Sequence, residues 1–275
     1  MPEVKLEEVR RFMEDALTSV GAPESEAKAH ADLLMHADTV GHYSHGLNRL
    51  GELTRSISMS TCLPAAKPVI LKESAATAWV DGHNALGATV GNFCMDIAIK
   101  KAKECGVGWV SAKQSNHYGM AGYWALQAER QGLIGLAFTN SSPIMVPTRS
   151  KQVTYLHKKK LAYISDFMCG SRSTHNIRNW ELSSTQGPPD LGQCFAAIDP
   201  SYFAPGFAER IADCLNNWRN LEPVDPSLPV LAPGDKEQMT SEKTKAKGTV
   251  FYPQKQIATM ETMAKSIGIK PLQTV

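Results

Sequence analysis

Three side chains in this sequence are of types that can move a proton and grip an acid. His45 and Arg49 stand four residues apart in Asp38-Thr-Val-Gly-His-Tyr-Ser-His-Gly-Leu-Asn-Arg49, and His117 lies in Ser115-Asn-His-Tyr-Gly-Met-Ala-Gly122. An imidazole exchanges protons near neutral pH, and a guanidinium takes a carboxylate through two parallel hydrogen bonds. Together they suit a 2-hydroxy or 2-oxo acid, whose carboxylate must be held while a proton leaves or joins the neighbouring oxygen. A helix beginning at or just after Ser44 puts His45 and Arg49 on one face, one turn apart. The plainer alternative is a helix start capped by Ser44 with a solvated arginine, and spacing alone does not choose between the two. His36, His42 and His45 match no metal-ligand spacing, so no metal is expected.

The elements that hold these residues follow from apolar spacing. Leu6, Val9, Phe12, Met13, Ala16, Leu17 and Val20 form one stripe and predict a helix over 4–20, closed by Gly21. A second helix opens after Pro23, with Ala27, Ala31, Leu33, Leu34 and Ala37, and ends at Gly41. Leu47, Leu50 and Leu53 continue a third, so the start of the chain reads as a helical layer. The pattern then alternates: a strand over 76–80 ended by Asp81-Gly82, a helix over 88–105, a strand over 107–112, a helix over 119–131 and a strand over 133–139. That order predicts an α/β layer with parallel pairing. Ligands of open α/β sheets sit beyond the carboxyl ends of the strands, so His117 and Ser141 are expected to face one crevice. His117 also precedes a helix start, where unpaired N–H groups suit a nucleotide's phosphates and Gly119 and Gly122 permit close approach. A histidine capping a turn is the plainer reading there.

Beyond residue 150 the sequence is polar and unpatterned until a strand over 191–199, a helix over 204–220, a proline-punctuated loop and a last helix near 255–268. The chain is therefore divided into a helical substrate and dimerisation layer (1–75), the first part of an α/β domain (76–150), an irregular junction (151–190) and a strand-helix segment returning to the core (191–275).

With 275 residues, 43% of them apolar, the chain can bury a substantial core. Its 29 basic and 27 acidic residues nearly balance, which argues against nucleic acid as a partner. Six scattered cysteines without a Cys-x-x-Cys suggest small buried hydrophobes in a reducing compartment. The acidic N-terminus does not resemble a leader and no apolar run reaches membrane-spanning length, so a cytoplasmic protein without a membrane partner is expected. Neither Gly-x-Gly-x-x-Gly, nor a P-loop, nor Gly-x-Ser-x-Gly is present.

Several motifs recur in a recognisable order: Asp38…Gly41…Ser44-His-Gly46…Arg49, Val80-Asp-Gly-His-Asn-Ala-Leu-Gly87, Ser115-Asn-His-Tyr-Gly-Met-Ala-Gly-Tyr123, Thr139-Asn-Ser-Ser-Pro143 and Pro147-Thr. Leu191-Gly-Gln-Cys-Phe-Ala-Ala-Ile-Asp-Pro200, Phe203-Ala-Pro-Gly-Phe207 and Val230-Leu-Ala-Pro-Gly-Asp235 extend the match. Together they resemble the malate/L-lactate dehydrogenase family of NAD(P)-dependent 2-hydroxyacid oxidoreductases, which includes sulfolactate and ureidoglycolate dehydrogenases. The resemblance implies an α/β protein with an N-terminal helical layer and a non-Rossmann cofactor-binding domain. It implies NAD or NADP as cofactor, a small 2-hydroxy acid as substrate (malate by default, or lactate), and a homodimer. His45 and His117 become the acid/base residues, unranked, and Arg49 the carboxylate holder. Tyr118 and Gly119, through their backbone, and Ser141 would lie against the cofactor. After Arg149-Ser150 the family's Gly-Thr-Asn-Pro segment, Asp-x-Ala-Thr strand and Gly-Tyr-Lys-Gly-Tyr-Gly helix start are absent, so the cofactor domain is expected to be internally truncated. Two alternatives stay open: a shortened, catalytically silent member that still dimerises, and a hydrolase or small-molecule binder reusing the two histidines.

Overall fold

The computed structural model describes residues 2–140, 168–169 and 187–275. The chain opens with β1 (Glu3–Lys5), α1 (Leu6–Ser19) and α2 (Glu24–Thr39). The stripe on α1 becomes packing, with Val9, Phe12, Met13, Ala16 and Leu17 all buried. Single 3-10 turns at Tyr43–His45 and Leu47–Arg49 lead into α3 (Leu50–Ser58). Then follow β2 (Val69–Glu73), β3 (Thr77–Asp81), α4 (Gly87–Cys105), β4 (Val107–Ser115), α5 (Ala121–Glu129) and β5 (Ile134–Thr139). The C-terminal part supplies β6 (Leu191–Ile198), α6 (Phe207–Arg219), α7 (Asp235–Lys247), β7 (Thr249–Phe251) and α8 (Gln254–Ile267).

Two apolar cores form. The first joins α1, α2 and α3 to the C-terminal end through Val250, Tyr252, Ile257, Met260, Ala264 and Leu272. The second lies between α4, α5 and the sheet, built on Val80, Met95, Val110, Trp124 and Phe195. Each fully buried Leu, Met or Phe in such a core contributes about 1.5–3 kcal/mol. Helix α2 serves both: Ala27, Ala31 and Leu34 enter the first core and Leu33 the second. Its carboxyl end delivers the chain to His45, so the loop carrying His45 and Arg49 hangs from the element that the two cores share.

The sheet differs from the parallel layer that element order predicts. Among the described residues it runs β2-β3-β4-β6-β5, and only β3 and β4 pair in parallel. Strands β4 and β5 do share a direction, but β6 fills the space between them and pairs antiparallel with both. Its residues are buried throughout except at Ile198, as a continuous apolar run in a central strand requires. Local spacing reports that a segment is a strand and how deeply it is buried; it does not report which neighbours it wedges between.

Ser115 at the end of β4 faces Leu191, and Thr139 at the end of β5 faces Gln193. Both carboxyl ends therefore emerge beside the start of β6. The irregular junction expected over 151–190 falls outside the described residues, apart from 168–169 and 187–190, and so does the expected internal truncation after residue 150. Cys62, Cys94, Cys169 and Cys194 are buried, as small apolar side chains are, whereas Cys105 is exposed. Among the described residues no helix is long and apolar enough to cross a membrane.

Candidate active site

The loop after α2 is shaped by one buried carboxyl. Asp38 is fully buried, and its Oδ2 accepts the Leu47 N–H at 2.9 Å. A Cβ on Gly46 would lie 1.9 Å from Asp38 Oδ1, so only glycine fits there. Gly46 takes φ −101° and ψ −134°, which interrupts helical winding between the two 3-10 turns. His45 and Arg49 are thus not successive turns of one helix, as the spacing suggested. They are brought together by a different contact: Arg49 donates its Nε–H to the Ser44 carbonyl at 2.7 Å. Ser44 caps no helix, and its hydroxyl bonds His45 Nδ1 at 2.8 Å.

The loop after β4 brings His117 against His45. The two rings stack with centroids 5.7 Å apart and planes inclined by 29°. This loop is held from below. Asn116 Nδ2 donates to the carbonyls of Asn84 and Ala85, each at 2.9 Å, and Gln193 Nε2 donates to the Asn116 carbonyl at 2.8 Å. A Cβ on Gly87 would stand 2.1 Å from the His117 carbonyl, so the start of α4 also fixes the approach. Gln193 was not legible as a site residue, because an amide within an apolar strand reads as a defect until its partner is seen.

The hydrogen bonds separate the two histidines. His117 Nδ1 accepts the Gly119 N–H at 3.2 Å. A neutral imidazole has one donor and one acceptor nitrogen, so the proton is assigned to His117 Nε2. His45 Nδ1, by contrast, can donate to the Ser44 hydroxyl and leave Nε2 as a base. Burial lowers the His45 pKa, and the Arg49 guanidinium and His42 lower it further. His117 is driven well below the usual histidine range by burial, then by Arg49, His45 and His30. Both rings are therefore neutral at pH 7, one presenting a lone pair and the other an N–H. Arg49 stands close enough to both to act on each.

The remaining expected residues divide. Tyr118 is buried, its ring stacked on Trp124 at 5.9 Å, and its carbonyl accepts the Trp124 Nε1–H at 2.9 Å. Its ring is core, and only its backbone belongs to the loop. Gly119 has φ +68°, and a Cβ there would enter Leu33 at 2.6 Å. Ser141 lies outside the described residues. Its neighbour Asn140 is buried and accepts the Gly192 N–H through Oδ1 at 3.1 Å, while its Nδ2 has no hydrogen-bond partner among the described residues. At the start of α5 no side chain caps the helix and no acidic residue stands in the first turn. The chemistry of these donors fits an anionic group such as a nucleotide's phosphate. Among the described residues no cluster of metal-ligating side chains occurs.

His30 is buried on α2, and its Nδ1 has no hydrogen-bond partner among the described residues. Burial pushes its pKa down to about 4. A histidine depressed in the fold stabilises it fully above the unfolded value and loses that contribution as pH falls through the folded one. The window is therefore about 6.5 down to 4, and the loss is on the order of 3 kcal/mol. Asp38, raised to about 7 by burial, acts in the opposite sense, since protonation relieves it as pH falls. Comparing wild type with His30→Gln isolates the first effect: urea unfolding at pH 7 and pH 4.5 should show a smaller acid loss in the variant, and equal losses would refute it.

A family profile described as malate/L-lactate dehydrogenase matches residues 4–155 and 160–261. The L-sulfolactate dehydrogenase of Methanocaldococcus jannaschii is 40% identical over 149 residues, which cover 54% of this chain and 43% of that protein. The malate dehydrogenase of Pyrococcus horikoshii is 44% identical over 137 residues, 50% of this chain and 38% of the relative. The chain thus spans less than half the length of these relatives in sequence. The solved structure of the Pyrococcus horikoshii malate dehydrogenase superimposes with a TM-score of 0.88 at 25% identity, over 98% of this chain and 97% of the other.

Proposed function

Because the chain belongs to the malate/L-lactate dehydrogenase family, we propose that it interconverts a small 2-hydroxy acid and its 2-oxo acid, with malate the first substrate to test. The stacked His45–His117 pair beside Arg49 carries this reading. Oxidation of such an acid removes a hydride from C2 and a proton from the hydroxyl, forming the carbonyl. Arg49 grips the carboxylate, His45 Nε2 accepts the hydroxyl proton, and His117 Nε2–H donates a hydrogen bond to the same oxygen. Reduction runs the same steps backwards, with His45 returning the proton. A nicotinamide dinucleotide, NAD or NADP, supplies the hydride acceptor when bound, and the 118–122 backbone and the Asn140 side chain would hold it. We take the working unit to be a homodimer and its compartment to be the cytoplasm.

The purified chain, incubated with malate, lactate or sulfolactate and either NAD or NADP, should generate the absorbance of the reduced nicotinamide. Absence of turnover with every pairing, in both directions, would reject the reading. Retained dimerisation in sedimentation under that outcome would instead identify a catalytically silent member.

A further inference from the structure

The loop that carries His45 and Arg49 is gripped from the far end of the chain. Tyr252 is fully buried and donates its hydroxyl to Asp38 Oδ2 at 2.7 Å, the oxygen that also accepts the Leu47 N–H. Its ring meets Tyr43 edge-on at 6.3 Å. From α7, Glu237 Oε1 reaches His42 Nε2 at 3.2 Å, and Thr240 stands against Gly41. Three residues of the C-terminal segment thus brace one short loop that contains two of the three proposed site residues. The Tyr252 contact passes through the Asp38 carboxyl at the end of α2, whose Oδ1 has no hydrogen-bond partner among the described residues. Two donors on one oxygen fix the direction of the Asp38 carboxyl. That direction in turn fixes the backbone at Gly46 and Leu47, between His45 and Arg49.

We propose that Tyr252 is a positioning residue for the substrate side of the site: through Asp38 it sets the 45–49 backbone, and so the placing of His45 and Arg49 against His117. The assignment rests on the 2-hydroxyacid reading for its kinetic consequence, but not for its structural one. His117 hangs from a different loop, braced by Asn116 and Gln193. Loss of the Tyr252 hydroxyl should therefore disturb the acid's grip and leave the cofactor's loop untouched.

Tyr252→Phe in the full chain deletes that hydroxyl and keeps the ring. The expected result is a KM for the hydroxy acid raised about tenfold, the ratio that about 1.4 kcal/mol of lost grip on the acid corresponds to, with the KM for the cofactor unchanged. The His45 imidazole resonance, assigned with His45→Gln, should move, while that of exposed His83 stays in place. Because the route runs through Asp38, adding Tyr252→Phe to Asp38→Ala should leave the KM where Asp38→Ala put it. Equal rises in both KM values, or an unmoved His45 resonance, overturns the proposal, as does an independent further rise in the double variant. If Asp38→Ala does not fold, the single variant decides. If the wild type turns over no hydroxy acid, the functional reading fails by itself and the His45 resonance alone decides the positioning role.

Discussion

Replacing His45 with alanine is expected to lower kcat by about 10²–10⁴, the usual worth of a positioned acid/base group, while binding of the reduced nicotinamide, followed by its fluorescence, persists. The ring belongs to the loop after α2, whereas the 118–122 backbone assigned to the cofactor belongs to the loop after β4, which Asn116 and Gln193 hold in place without it, so chemistry and cofactor binding should separate in this variant. His117→Ala should cost less, since His117 Nδ1 is committed to the Gly119 N–H and only the Nε2 donor is lost. His117→Gln, which restores a donor, should recover part of that loss. The pH profile supplies a second check. Oxidation needs neutral His45, whose pKa is lowered by burial and then by Arg49. The acid limb of kcat should therefore fall below the ordinary histidine value, and His45→Ala should flatten it. If His45→Ala retained near-wild-type turnover while His117→Ala abolished it, the two roles would be exchanged.

Much of this architecture was legible because it is local. The stripe on α1, the glycines ending α1 and α4, and the alternation of strands and helices from 77 to 139 are all short-range patterns. The ordered motifs around His45 and His117 pointed to one site, and the structure stacks those two rings. What escaped has partners far away in sequence. Asp38 meets Tyr252 across 214 residues, and a carboxylate at a helix end reads as solvated until its burial is seen. The same carboxyl explains why helical continuity from His45 to Arg49 fails, since it occupies the place of a Gly46 side chain. The wedging of β6 between β4 and β5 escaped for the same reason, and so did the bracing of Asn116 by Gln193.

The largest stability effect is expected at Trp124, where the loop after β4 meets the core. Its indole is fully buried and stands edge-on to Tyr123 at 5.0 Å and to Phe195 at 5.8 Å, besides stacking on Tyr118. A Cβ on Gly91 would come within 2.5 Å of the ring, so α4 is packed against it with no spare room. Truncation to alanine leaves a cavity that these neighbours cannot close, at a cost of about 3–5 kcal/mol. Losing the Nε1–H leaves the Tyr118 carbonyl without its donor, which adds about 1 kcal/mol. Against a total stability of roughly 5–15 kcal/mol, the variant should be marginal, with the melting temperature lower by about 10 °C or more. Trp124→Phe separates the two contributions, because it keeps most of the packing and deletes the hydrogen bond. Urea unfolding should place it within about 2 kcal/mol of wild type. Its larger effect should appear in the KM for the cofactor, since the Tyr118 carbonyl is then free to move with Gly119. A Trp124→Ala cost under about 1 kcal/mol, the range of an unburied position, would mean that the indole does not join α4, α5 and β6 beneath the His117 loop.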